Sequence, residues 1–184
     1  MHNPVKQSGF TMVELMIVVA IAAILLGIGI PSYRYVTTAN RVAGEINNLL
    51  GDVQFARYEA IKEGLPVQIC PTASATSTTC DAESTWSGGW IVLSNANAAT
   101  GSVVLRRQLP FTSFNSNDTL TSSNNVQTLT FNREGFATGL GAPLVFSLHN
   151  PTSTAAYTRC LIVNAAGATA VVTSGTTMFS GTCS

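Results

Sequence analysis

Residues 8–31 read SGFTMVELMIVVAIAAILLGIGIP. From Met12 to Ile30 only Glu14 is ionisable. As a helix, this run of about nineteen residues rises roughly 28 Å, close to the hydrocarbon thickness of a bilayer. It reads as a membrane-crossing helix, and a carboxylate so near its start calls for a functional explanation because a charge in hydrocarbon is costly. Gly9-Phe10 stands just before the run, behind a short polar leader with Lys6. That leader is like a secretory n-region, yet no small-x-small cleavage site follows the apolar stretch, where an ordinary signal peptide is cut. Two readings stay open: an uncleaved anchor, or a leader cut at Gly9 that leaves the helix on the mature chain. Lys6 favours a cytoplasmic N-terminus with the rest of the chain outside.

Gly27, Gly29 and Pro31 punctuate the end of the apolar run. Glycine is a poor helix former and proline lacks a backbone donor, so a helix break is expected here, as a bend or loosened turn with the helix resuming beyond. A full stop at Pro31 is the alternative. Beyond it, Ala39, Val42, Ile46, Leu49, Val53, Ala56 and Ala60 recur at spacings of three and four, one face of an amphipathic helix. Glu45, Asp52 and Glu59 recur every seven residues on another face, and Arg41 stands four before Glu45. Gly64 is a plausible C-terminal cap and Pro66 prevents continuation. These signals divide the chain into a leader (1–9), an apolar half-helix (10–31), an amphipathic half-helix (32–63) and a head (64–184).

The head, roughly 120 residues, is long enough to bury its own core. Turn signals separate short β-prone runs at residues 66–70, 89–94, 103–109, 127–132, 144–149, 158–164 and 168–173. Residues 111–125, rich in Asn and Ser, read as a loop, and Asn164-Ala-Ala-Gly167 reads as a hairpin turn. One long helix followed by about seven strands is an α+β architecture, a helix spine on a mainly antiparallel sheet or sandwich.

Nine Lys plus Arg balance nine Asp plus Glu, and charged residues make up 10% of the chain, so neither a polyanion nor a polycation is the obvious partner. Cys70, Cys80, Cys160 and Cys183 form an even set in a chain read as exported, which suggests disulfides rather than free thiols. Of the three possible pairings, Cys70–Cys80 with Cys160–Cys183 is favoured, because each bridge then pins a loop or tail with little apolar content. Zinc is disfavoured: there is no CxxC, and the histidines are His2 and His149. With His149 the sole histidine after the leader, no Ser-His-Asp arrangement is convincing, and Gly88-Gly89 opens no helix that would cradle phosphate. No enzymatic activity, metal or cofactor is expected.

Gly9-Phe10-Thr11, then Glu14 and a long apolar helix, resembles the class III signal of type IV pilins and type II secretion pseudopilins. The resemblance implies cleavage between Gly9 and Phe10 by a prepilin peptidase and N-methylation of the new Phe10 amine. Glu14 becomes the fifth residue of the mature chain, where the family keeps a glutamate used in assembly. Three further stretches, residues 55–70 (FARYEAIKEGLPVQIC), 86–93 (WSGGWIVL) and 129–135 (LTFNREG), are similar to the GspH/FimT-type minor pilins. That implies the type IV pilin-like fold, an inner-membrane stage before assembly into a surface pilus, and partners among major and minor pilins, the peptidase/methylase and the inner-membrane assembly platform. Some FimT-type members bind DNA through a GRxR-like motif near the C-terminus. The matching place, Gly167-Ala168-Thr169-Ala170, has no arginine, and Arg106, Arg107, Arg133 and Arg159 are scattered. DNA is therefore not the expected partner, and the resemblance tilts toward the FimU-like branch, with a type II secretion pseudopilin as the alternative and a DNA-binding pilin as the second.

Overall fold

A computed structural model describes residues 9–74, 76–81, 85–94, 102–114 and 116–184. The leader up to Ser8 lies outside the described residues. A single helix, α1 (Met12–Glu63), is followed by strands β1 (Val67–Pro71), β2 (Trp90–Ser94), β3 (Val103–Gln108), β4 (Thr119–Ser122), β5 (Leu129–Phe131), β6 (Ala137–Thr138), β7 (Leu144–His149), β8 (Arg159–Val163), β9 (Thr169–Thr173), β10 (Thr177–Met178) and β11 (Gly181–Thr182). The chain divides into two compact units, residues 1–39 and 40–184.

The first unit is helical from Met12. Among the described residues it contains the one segment long and apolar enough to cross a membrane, with a mean hydropathy of 2.8 over its best window and none of that window buried. The helix carries through Gly27, Gly29 and Pro31 without interruption, so these residues do not break secondary structure and Pro31 is not a stop. A mid-helix proline forfeits one i→i−4 bond, here the one that would reach Gly27, and the flanking bonds keep the helix going.

In the second unit, all strand pairing is antiparallel. One sheet has the order β3-β2-β1-β5-β6, another β4-β7-β8-β9, and β10-β11 form a small hairpin. The stripe Val42, Ile46, Leu49, Val53, Ala56 and Ala60 is buried against Val67, Ile69, Leu129 and Phe131 of the first sheet, and against Phe146, Leu148, Leu161 and Val163 of the second. Alanines at positions 56 and 60 let strands approach the helix closely. The helix ends at Gly64, whose N–H donates to the Ala60 carbonyl at 3.1 Å.

Strands β2 and β8 are buried on both faces, which explains their continuous apolar runs. Trp90 and Val92 face the main core, whereas Ile91 and Leu93 join Cys70 in a second cluster with Cys80 and Val104 packed on it. Leu161 and Val163 face the main core, and Cys160 and Ile162 join Val145, Val172 and Cys183 in a third. Each small cluster sits beside a disulfide, Cys70–Cys80 or Cys160–Cys183, with Cα separations of 5.5 and 5.6 Å.

The loop expected at residues 111–125 is in part ordered structure. It contains two 3-10 turns (Phe111–Phe114 and Ser123–Asn125) and β4, which pairs with β7. β4 escapes a pattern search because Leu120 is its one apolar residue. The strand is held by partners distant in sequence, including the Trp86 N–H, which donates to the Leu120 carbonyl at 2.8 Å. Beyond the seven expected runs, the two-residue strands β6, β10 and β11 are formed by local hairpin pairing, β6 with β5 and β10 with β11.

Candidate functional site

The segment expected to be processed and used in assembly lies at the start of α1. Gly9, Phe10 and Thr11 precede the helix and are exposed, Phe10 at 78%. Thr11 is the N-cap: its Oγ1 accepts from the Glu14 N–H at 3.2 Å, and its carbonyl accepts from the Leu15 N–H. Glu14 is thus the third residue of the first turn. Thr11-x-x-Glu14 has capping-box spacing, a local signal that the sequence reading passed over. The position is favourable for a carboxylate, since the helix N-terminus carries partial positive charge. Cleavage before Phe10 would add an amine next to this terminus, and no other carboxylate lies between Met12 and Ile30 to offset it. Met12, Val13, Leu15, Met16, Ile17 and the other large apolar residues as far as Ile30 are more than half exposed.

The second unit presents a set of polar ties between α1 and the sheets. The expected acidic face at Glu45, Asp52 and Glu59 meets the protein rather than solvent alone. Asp52 accepts from Trp90 Nε1 at 2.8 Å and from Arg106 Nη1 at 3.2 Å, while the Arg106 guanidinium lies 3.7 Å over the Phe55 ring. Glu63, one turn past Glu59, accepts from Ser94 Oγ at 2.6 Å. Glu59 is buried and paired with Lys62 at 3.1 Å. Arg41 grips the buried Asp118 with two parallel bonds of 2.8 and 2.9 Å. Glu45 lies against this pair and Ser116, with Oε2 buried and unpartnered. Burial, opposed by Ser116 and aided by Asp118, raises the Glu45 pKa to about 7.

Arg57 is a residue the sequence reading quoted but did not single out. Its Nε donates to the Gly135 carbonyl at 2.9 Å, Nη1 to Gly167 at 3.0 Å and Nη2 to Ala166 at 3.2 Å. These carbonyls belong to two turns of the same construction. In each, an asparagine (Asn132 or Asn164) accepts on its backbone oxygen from the glycine three residues on, and its side-chain oxygen caps the turn from within. Gly135 and Gly167 have φ of 82° and 74°, and a Cβ on Gly167 would collide with the Gly135 carbonyl and the Arg57 guanidinium. The repeated Asn-x-x-Gly spacing was the available signal; that one arginine serves both turns was not readable.

The four scattered arginines are engaged separately. Arg106 is on Asp52, Arg107 on the Ser74 and Ser77 carbonyls, Arg133 on Glu134 at 2.7 Å, and Arg159 on the Ala156 and Thr158 carbonyls. Gly167–Ala170, the place corresponding to the arginine motif, is the β8–β9 turn and the start of β9. Trp86 and Trp90 are buried and stack edge-on against Phe146 and Phe111. His149 is half-buried and bonded to Thr158 at 3.2 Å. Among the described residues no cluster has the composition of a metal site.

Comparison with known proteins gives two family matches. Residues 45–167 match the family described as type II transport protein GspH, and residues 5–30 match the prokaryotic N-terminal methylation motif. Among curated proteins none matches. Two crystal structures of the type IV minor pilin FimU of Pseudomonas aeruginosa are similar in fold. One has a TM-score of 0.58 at 19% identity, covering 72% of this chain and 89% of that one. The other has a TM-score of 0.53 at 21% identity, covering 72% and 91%.

Proposed function

The chain belongs to the GspH family and carries the N-terminal methylation motif of pilins and pseudopilins, and from that premise we propose that it is a minor pilin of a type IV pilus. It is a structural subunit, not an enzyme. A prepilin peptidase cuts between Gly9 and Phe10, and the new Phe10 amine is methylated. The protein first resides in the inner membrane, N-terminus cytoplasmic and head periplasmic. It then enters the filament, where it primes or caps the assembly and contacts other minor pilins through its head.

The observation that carries this reading is the exposed Gly9-Phe10 step ahead of a helix capped by Thr11, with Glu14 the only carboxylate in an otherwise uncharged, unburied apolar run. In the filament, Glu14 pairs with the Phe10 amine of a neighbour. Breaking such a buried pair costs about 3–5 kcal/mol, whereas the intact pair can be near neutral, so it acts in capture and register more than in stability. Membrane and filament core are both apolar, and the transfer need not wet the helix. Gly27, Gly29 and Pro31, poor helix formers in an otherwise continuous helix, permit local melting during that transfer. Glu14→Ala is expected to insert in the membrane normally and to be absent from sheared pili; normal incorporation would overturn the proposal.

The family description favours a second reading, a minor pseudopilin of a type II secretion system. Deleting the gene separates the two: loss of surface pili with secretion intact supports the first, and the reverse supports the second. A DNA-binding role has less support, since phosphate binding needs a cluster of free cations, whereas Arg106, Arg107, Arg133 and Arg159 are individually engaged.

A further inference from the structure

The four ends of the two main sheets are not equally protected. Exposed strand edges invite pairing with another chain, and proteins blunt them with charges, bulges, prolines or short length. Edge strand β3 has Arg106, Arg107 and a register shift opposite Val92/Leu93. Edge strand β6 is two residues long, and β4 has Thr121 bridged to Thr85. β9 has none of these devices. It pairs with β8 in unbroken register over all five residues, and among the described residues no strand lies on its other side. It contains no proline, and from Cys160 to Ser184 the sequence has no Asp, Glu, Lys, Arg or His.

The occupant follows from the sequence of the strand. Ala168-Thr-Ala-Val171-Val-Thr-Ser174 is close to a palindrome about Val171: Thr169 answers Thr173, Ala170 answers Val172, and Ala168 answers Ser174. An antiparallel pair related by a twofold axis places each residue opposite its counterpart, so such a strand is complementary to itself, as a twofold interface requires. With no charged residue on either copy of the strand, no like-charge contact between the two strands opposes the pairing. Val171 is opposite Leu161 in the sheet and is 37% exposed at the edge. At the Thr169 end of the strand lies a hollow of about 280 Å³ whose walls include the exposed Tyr58 and Ile61. The C-terminal hairpin packs on the Val145 and Ile162 face of the sheet.

We propose that β9 is a self-docking edge through which two copies of this chain pair antiparallel about Val171, joining their four-stranded sheets into one. This contact is additional to helix-mediated filament assembly and does not depend on it. A five-residue edge is small for a lasting interface, so the pair forms where the protein is concentrated, as in a membrane.

Single-cysteine variants of the full chain in membrane vesicles, oxidised and run without reductant, test this. Directly opposed residues have Cα atoms about 4.5–5.5 Å apart, within disulfide reach. Val171→Cys is expected to form roughly ten times more disulfide-linked homodimer than Thr169→Cys, whose two copies would lie roughly 13 Å apart. Mixing Thr169→Cys with Thr173→Cys chains restores the cross-link. Val171→Lys, which sets like charges face to face, is expected to lose the chemical cross-link that the wild-type chain gives while keeping the Cys160–Cys183 bridge. Equal cross-linking of Val171→Cys, Thr169→Cys and a Val103→Cys control on β3 would overturn the proposal. So would a Val171→Cys cross-link that captures only a different polypeptide.

Discussion

Glu45 and Asp52 show how two carboxylates on one helix acquire different work from their surroundings. Glu45 belongs to the same seven-residue repeat as Asp52, yet Asp52 meets Trp90 and Arg106 while Glu45 is half-buried against another carboxylate, Asp118, whose guanidinium partner Arg41 is already bidentate. Its carboxyl is raised from 4.5 to about 7. The folded state therefore holds this proton more tightly than the unfolded chain. The stability it contributes is complete below about pH 4.5 and is lost as pH rises through about 7. Glu45→Gln, a mimic of the protonated form, is expected to raise Tm at pH 8 by roughly 2–4 °C, the shift that corresponds to about 1 kcal/mol in a chain of this size. The difference should shrink toward zero near pH 4.5. Thermal melts across this range provide the check, and a gap independent of pH would refute the assignment.

At the scale of elements, Arg57 ties α1 to the β5–β6 and β8–β9 turns and thereby links both sheets to one helical position. Its fork geometry matters because three carbonyls from two turns must be met at once, which a lysine ammonium on a flexible stem does not reproduce. Arg57→Ala is expected to cost about 2–3 kcal/mol, and Arg57→Lys to recover little of it. Denaturant unfolding measures both, and full rescue by lysine would show that charge alone suffices. The helix and most strands were legible before any tertiary contact was known. The 3-4 spacing marks the stripe that is buried from Val42 to Ala60, with Ala39 at its half-buried start, and strands β2 and β8 announce themselves by continuous apolar runs. β4 was not legible, since Thr119-Leu-Thr-Ser122 has one apolar residue and depends on β7 and Trp86 for its hydrogen bonds. The helix continues beyond Gly27, Gly29 and Pro31, which removes the alternative of a full stop at Pro31, since one lost bond does not end a helix.

In the head as a whole, stability comes from one main core and two satellite clusters, each beside a disulfide. The closed loops differ, with sequence separations of 10 and 23. The chain-entropy relation gives about 3 kcal/mol for each, the longer loop contributing more by under ~1 kcal/mol. Replacing Cys160 and Cys183 by serine is therefore expected to lower the urea midpoint more than replacing Cys70 and Cys80, and to expose the C-terminal hairpin to proteolysis. The opposite order would assign the larger share to the loop at residues 71–81. Properties that repeat along the chain needed no fold to be recognised: the apolar run with its lone Glu14, the Gly9-Phe10 step, the amphipathic stripe and the cysteine count. Each is a local or periodic signal, set by residues within a few turns of one another. The partners of Asp52, Arg57 and Asp118, the repeated turns beneath one guanidinium, and the unprotected edge at β9 emerge only when helix and sheets meet. Those contacts join residues separated by 38 to 110 positions, and their pairing depends on strand order and register, which no local spacing encodes.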